Sequence, residues 1–358
     1  MPKGFESASA HPSPQKIEGE DVSKVTASEE RPTFDEFEGG ELDERGEFKE
    51  PTPEEQEKFR DRVARMSEVL EDADFTWYLD GATNISLYGD QMIRNHKDLD
   101  MSVFQEDLGK LEDLLNNQGF GIFVNYKEDR KELMRKVTAQ ELGLLENPDV
   151  SICKVGPDGT LSSKNSHEAF DFVDLHIRDI DEFGDVVVGY SGISIPKEYF
   201  EPIRKELPNG KIISLSHPAV VAYHKLHSTR AYDVKDLQIL SPLLTQEDIA
   251  MLRSSVEKEA GVLDKRTREV LKEVWGELSP VLETAPDPDT IAEKLRSHPE
   301  IGKRNTDESV ANYISSISQY LSENPSVTAD DFISQSISIL NIKKRAEEQI
   351  KLIDQLEQ

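Results

Sequence analysis

Two carboxylates, Asp98 and Asp100, stand two positions apart in a run with Leu99, Met101, Val103 and Phe104. That run has the character of a strand, and side chains at i and i+2 of a strand project to the same face. The two acids then leave the sheet side by side, close enough to share a divalent ion. Seventeen residues before Asp98, Gly81-Ala82 follows the apolar-aromatic stretch Trp77-Tyr78-Leu79 and precedes a helix-like run. A small-residue turn that opens a helix presents backbone N–H groups suited to a phosphate chain. A phosphate cradle facing a carboxylate pair points to metal-dependent chemistry on a nucleotide.

Two-metal chemistry calls for a third acid, which completes one metal's shell and helps to deprotonate an attacking hydroxyl. The segment Phe170-Asp171-Phe172-Val173-Asp174-Leu175-His176-Ile177 reads as a strand. Asp171 shares a face with Val173, Leu175 and Ile177, whereas Asp174 shares the other with His176. Asp174 is the favoured third acid and Asp171 the other candidate. Further on, Lys225 sits on an otherwise apolar helix with Val220, Val221, Ala222, Tyr223 and Leu226. A lysine there needs a counter-charge, which triphosphate oxygens would supply, and so would Asp233 or Asp236.

The segment 77–104 resembles the nucleotidyltransferase (polymerase-beta-like) superfamily, whose pattern is Gly-Gly or Gly-Ser, a short helix, then hydrophobic-Asp-hydrophobic-Asp-hydrophobic. It is most similar to the aminoglycoside nucleotidyltransferases and the AbiEii/AbiGii-type abortive-infection toxins. Arg94, His96, Asp98, Leu99 and Asp100 stand where those branches carry R-x-H-x-D-[LI]-D. A second motif of the toxin-type members is matched by Lys225-Leu226, Arg230, Asp233 and Asp236-Leu237. Three positions depart from the pattern. Ala82 replaces the second Gly or Ser, which keeps the backbone donor but loses a hydroxyl. Tyr232 stands where a Lys is common, and Ser228 where an Ala is usual.

The resemblance implies transfer of a nucleoside monophosphate from a nucleoside triphosphate such as ATP to a hydroxyl-bearing acceptor: a small molecule, RNA or protein. Two Mg²⁺ or Mn²⁺ ions are then held by Asp98, Asp100 and Asp174, the last also serving as general base. Gly81, Ala82, Arg94, Lys225 and Asp236 are the implied nucleotide-binding residues. A toxin-type member would have a protein partner of antitoxin kind. The alternative is a decayed member that binds nucleotide or a partner without turnover.

Composition narrows the partners. The chain has 358 residues, 36% hydrophobic and 32% charged, with a net charge of −29. That charge opposes non-specific binding to nucleic acid and favours a cationic acceptor or a protein. The single cysteine, Cys153, excludes an internal disulfide and fits a reducing compartment. With no long apolar run and no signal-peptide core, a cytoplasmic protein without membrane contact is expected.

The elements that must position these residues follow from patterning. Residues 1–54 are rich in Pro, Ser, Gly and Glu, with 16 acidic against 6 basic residues in 1–55. They are expected to form a disordered acidic tail, solubilising or partner-binding through Phe34, Phe37 and Phe48. Thr52 is a candidate N-cap for a helix reaching about Leu70. Residues 55–215 then read as an α+β nucleotidyltransferase-like domain, a small mixed sheet flanked by helices, and 216–358 as an all-helical C-terminal domain. Within the first, 127–145 reads as a helix from Leu133, Met134, Val137 and Leu142. Within the second, 246–260, 263–283 and 328–356 read as separate helices. His217, His224 and His227 read as helix surface, because no Cys or carboxylate has a matching ligand spacing.

Overall fold

A computed structural model describes residues 29–30, 45–89, 92–94, 99–128, 131–145, 148–162, 172–188, 192–227, 230–283, 287–302 and 308–357. His96, Asp98, Asp171 and Ser228, and Phe34 and Phe37 of the expected tail, lie outside the described residues. The first part of the chain contains β1 (Glu29–Glu30), α1 (Pro53–Val69), β2 (Trp77–Asp80), α2 (Thr83–Tyr88), β3 (Asp100–Phe104), α3 (Leu108–Asn117), β4 (Phe120–Glu128), β5 (Lys131–Val137), α4 (Ala139–Leu142) and β6 (Asp149–Lys154). It continues through β7 (Phe172–Ile180), β8 (Val186–Val188), β9 (Ile193–Ile195), β10 (Ile203–Glu206) and β11 (Ile212–Leu215). Helices follow: α5 (Pro218–Leu226), α6 (Ala231–Leu240), α7 (Gln246–Leu282), α8 (Pro288–Ser297), α9 (Pro299–Gly302), α10 (Glu308–Glu323), α11 (Ala329–Leu340) and α12 (Ile342–Leu356). None of the described helices is long and apolar enough to cross a membrane.

The sheet order is β1-β5-β4-β6-β7-β3-β2-β11-β10, with β8 and β9 branching from β7. It is mixed, as expected: β3 runs parallel to β7 and β11 parallel to β2, whereas the other pairs are antiparallel. Alternation along the central strands gives its two faces different work. Trp77, Leu79, Met101, Val103, Val173 and Leu175 bury one face against Phe59, Val63 and Met66 of α1 and the leucines of α3. The start of α1 is set by a capping box in which Thr52 and Glu55 exchange hydrogen bonds, with Pro53 at its first position. On the other face, Tyr78 and Phe104 join α5, α6, the first half of α7 and α12 in a second apolar cluster. The rest of that face is polar, and it carries the candidate site.

The apolar cluster thus continues across residue 216, the expected domain boundary, while a third cluster stands apart, formed by the second half of α7 with α8, α10 and α11. One uninterrupted helix, α7, joins the two. Its 37 residues span about 55 Å, where two helices were expected. Gly261 does not break it, because the cost of a mid-helix glycine is only about 1 kcal/mol. The expected single helix 328–356 is instead divided at Asn341, whose φ of 55° is left-handed.

The helix expected over 127–145 is corrected: Lys131–Val137 is a strand that folds back antiparallel on β4, pairing Tyr126 with Leu133 and Ile122 with Val137. Leu133, Met134 and Val137 fit a helical period, but pairing with the open edge of β4 overrides that local preference. Part of the acidic segment is also in the sheet, where Glu29 and Glu30 pair with Met134 and Leu133 on the outer edge of β5.

Candidate active site

Strand register lines up the acids. Asp80 at the end of β2 lies opposite Asp100 at the start of β3. Asp100 lies opposite Asp174 on β7, and Asp174 opposite Ser151 on β6. Directly opposed residues share a face, so the three carboxylates form a row across adjacent strands. Ser151 Oγ donates to Asp174 Oδ1 at 3.1 Å and accepts from Asn125 Nδ2 at 2.9 Å. This chain of hydrogen bonds fixes the orientation of the Asp174 carboxylate.

Asp80 was missed from sequence. It is 1% exposed and accepts from five directions. Its Oδ2 is bonded by Arg178, by Ser102 Oγ at 2.8 Å and by His176 Nδ1 at 3.3 Å. Its Oδ1 accepts from the Gly81 N–H at 2.9 Å and from Ser216 Oγ at 3.3 Å. Burial pushes its carboxyl up, but the Arg178 guanidinium and the His176 hydrogen bond overcome this and hold it well below the usual carboxylate value. A signal for the pair was present: Arg178 shares parity with Asp174 and His176 along β7, and Asp80 is the one charged residue of Trp77-Tyr78-Leu79-Asp80.

His176 stands between the acids. With Nδ1 bonded to Asp80, its Nε2 lies 3.9 Å from Asp100 Oδ1. Burial lowers its pKa, but the Asp80 bond and the Asp100 charge outweigh that and leave it raised. Of the three later histidines expected at the helix surface, His227 is exposed and His217 half-buried, whereas His224 is drawn into the site. His224 Nε2 lies 3.2 Å from Arg178 Nη2, and burial together with the Arg178 charge pushes its pKa down to about 3. His217 Nδ1 accepts from the Ala219 N–H at the start of α5. His227 is bonded to the buried Glu259 of α7.

Gly81 has a φ of +65°, a region open to glycine and costly for other residues. A Cβ there would stand 3.0 Å from Asp100 Cγ and nearer still to its Oδ2. The glycine therefore serves both the turn and the approach of the acid strand. Asn84 Nδ2 closes the turn by donating to Leu79 O at 2.9 Å and Gly81 O at 3.3 Å.

Lys225, Arg94 and Asp236, expected at the nucleotide, are brought together in one network. Lys225 Nζ binds Asp233 Oδ1 at 2.7 Å and Asp236 Oδ2 at 2.9 Å. Arg94 grips Asp236 through Nε at 3.2 Å and Nη2 at 3.0 Å. Arg230 Nε donates to Asp233 Oδ2 at 2.6 Å. Both aspartate side chains are fully buried. This network ties α5, α6 and the connection from α2 to β3 together.

The sequence agrees with this geometry. Residues 62–168 match the family model described as aminoglycoside-2''-adenylyltransferase. That segment belongs to the nucleotidyltransferase superfamily. The matched segment holds the Gly81 turn, Arg94 and Asp100, whereas Asp174, Lys225, Asp233 and Asp236 lie beyond it. Among solved structures, an antigenic nucleotidyltransferase-like protein from Paracoccidioides brasiliensis is 15% identical, with 56% of this chain and 88% of that chain covered and a TM-score of 0.32. The antibiotic-resistance factor ANT(2'')-Ia is 10% identical, with 59% of this chain and 97% of that chain covered and a TM-score of 0.36. No curated protein matches the sequence.

Proposed function

We propose that the chain transfers a nucleoside monophosphate from a nucleoside triphosphate, ATP first among the candidates, to a hydroxyl on an acceptor, with the help of divalent metal ions. The observation that carries this reading is the opposition of Asp100 and Asp174 across β3 and β7, beside the Gly81 turn. Both carboxylates are partly exposed on one sheet face, and such hard oxygen donors suit Mg²⁺ or Mn²⁺. Asp98 completes the expected set from outside the described residues; among those described, no group of three or more candidate ligands forms. Asp80 does not join the set, because its oxygens are committed to Arg178, Ser102, His176, Gly81 and Ser216.

When bound, two such ions would stabilise the attacking and leaving oxygens together. The chain's own residues supply the remainder. Asp174, oriented by Ser151, orients the acceptor hydroxyl or takes its proton. The N–H of Gly81 is spent on Asp80, so contact with the phosphates falls to Ala82 and the amides after it. Lys225 and Arg94 act from behind, as the staple that holds α6 to the acid-bearing connection. The net charge of −29 favours a cationic, hydroxyl-bearing small molecule over a polyanion as acceptor. The description of the matched family, which names an aminoglycoside, supports that class.

The test is label transfer from each α-labelled nucleoside triphosphate, with Mg²⁺ or Mn²⁺, to aminoglycosides and to a cell extract, with Asp174→Asn as control. Label carried to a small cationic acceptor by the wild type alone supports the proposal, and label on RNA would replace the acceptor class. Nucleotide binding without transfer by the wild type would identify a binding module instead.

A further inference from the structure

The last residues before α1 lie against the same network. Glu47 Oε2 binds Lys235 Nζ of α6 at 2.7 Å. The Arg94 guanidinium lies 5.6 Å from the centroid of the Phe48 ring and 5.4 Å from that of Tyr232, whose ring also takes Arg230 at 4.4 Å. Phe48, Arg94, Tyr232 and Arg230 therefore alternate ring and cation. Arg94 is 6% exposed, and Phe48 is part of what keeps water from its bond to Asp236. A guanidinium–carboxylate pair strengthens as the local dielectric falls, so covering it matters more than the exposed Glu47–Lys235 contact, which solvent screens.

We infer that Phe48 is a positioning residue for the candidate site: it seals the Arg94–Asp236 pair and so holds Met92–Arg94, which precede the acid strand β3 in the chain, against α6. The catalytic part of this inference rests on the transferase reading, but the positioning part does not. Residues 47 and 48 stand outside the matched segment 62–168 and within the stretch expected to be a disordered tail. The geometry makes them part of the folded unit. Arg94 lies in the connection from α2 to β3, and Asp236 reaches it from the C-terminal helices. With Arg94 loosened, the acid strand β3 is less firmly held, and small displacements of its carboxylate matter to oriented chemistry.

The experiment compares full-length wild type with Phe48→Ala and Phe48→Tyr, by amide hydrogen exchange and by label transfer. Phe48→Ala is expected to speed exchange at Met92–Arg94 while the core strands β2 and β7 keep their protection. Its kcat is expected to fall by about ten- to a hundredfold with KM for the nucleotide little changed. Phe48→Tyr, which keeps the ring face, restores both. Should Phe48→Ala fail to fold, Phe48→Val, which stays apolar but trims the cover over Arg94, is expected to show the same local exchange. Unchanged exchange at Met92–Arg94 in a folded Phe48→Ala protein overturns the inference. Exchange is read without turnover, so an inactive wild type sinks the transferase reading and leaves the positioning role to be judged on exchange alone.

Discussion

Replacing Lys225 by Met separates two roles for one lysine. In the structure its ammonium binds Asp233 at 2.7 Å and Asp236 at 2.9 Å, and both carboxylates are fully buried. Methionine keeps most of the stem's volume and removes the charge, so the cost is mainly electrostatic. Breaking a buried pair by removing one partner costs about 3–5 kcal/mol. Arg94 remains on Asp236 and Arg230 on Asp233, which places the cost at the lower end, about 3 kcal/mol. At a urea dependence of about 3 kcal/mol per M, the unfolding midpoint falls by about 1 M. In an Asp233→Asn background the same replacement is expected to cost about 1–3 kcal/mol less, since the two share an interaction. The assay is urea unfolding followed by tryptophan fluorescence, alongside titration with a non-hydrolysable nucleoside triphosphate. A Lys225→Met protein that keeps its midpoint but no longer binds nucleotide would refute the staple and return Lys225 to the phosphates.

Two further outcomes follow from the geometry. Gly81→Ala places a Cβ against the Asp100 carboxylate at a φ of +65°, so it is expected to cost about 1–3 kcal/mol in stability and to abolish label transfer; a stable, fully active Gly81→Ala protein would contradict the close approach. The second concerns His227, whose Nδ1 faces the Tyr223 carbonyl at 2.8 Å and whose Nε2 is bonded to Glu259. Burial lowers its pKa, but the Glu259 bond and charge outweigh this and raise it above 6.5. A raised folded-state pKa means stability that is fully present below the unfolded value and lost as pH rises through the folded one. The urea-midpoint advantage of wild type over His227→Gln is therefore expected to be larger at about pH 6 than at about pH 9. An advantage that grows with pH would show that His227 sits there neutral.

Local patterning exposed the central strands and the chemistry near them. The alternation of Asp100, Met101, Ser102 and Val103, and of Val173, Asp174 and Leu175, follows from a strand with one apolar and one polar face. The strand positions of Asp100 and Asp174 and the Gly81 turn were therefore legible, as was the Thr52 cap, because each depends on neighbours within a few residues. Lys225 was legible only as a charge in need of a partner. Pairing with aspartates and pairing with phosphates leave the same trace in a sequence.

What the tertiary structure alone decided lies between distant segments. Asp80 and Arg178 are 98 residues apart, and their ion pair exists because β3 sets β2 and β7 on either side of itself. The strand Lys131–Val137 has a helical spacing of apolar residues, yet the open edge of β4 makes it a strand. Glu47 and Phe48 carry the composition of a tail, yet Lys235 and Arg94 bring them into the fold. The sequence by itself determined which residues could do chemistry and which face they would share, since period and residue type are local. Which charges neutralise one another was decided by the burial that brings them together, since the energy of a buried charge depends on partners that chain order does not reveal.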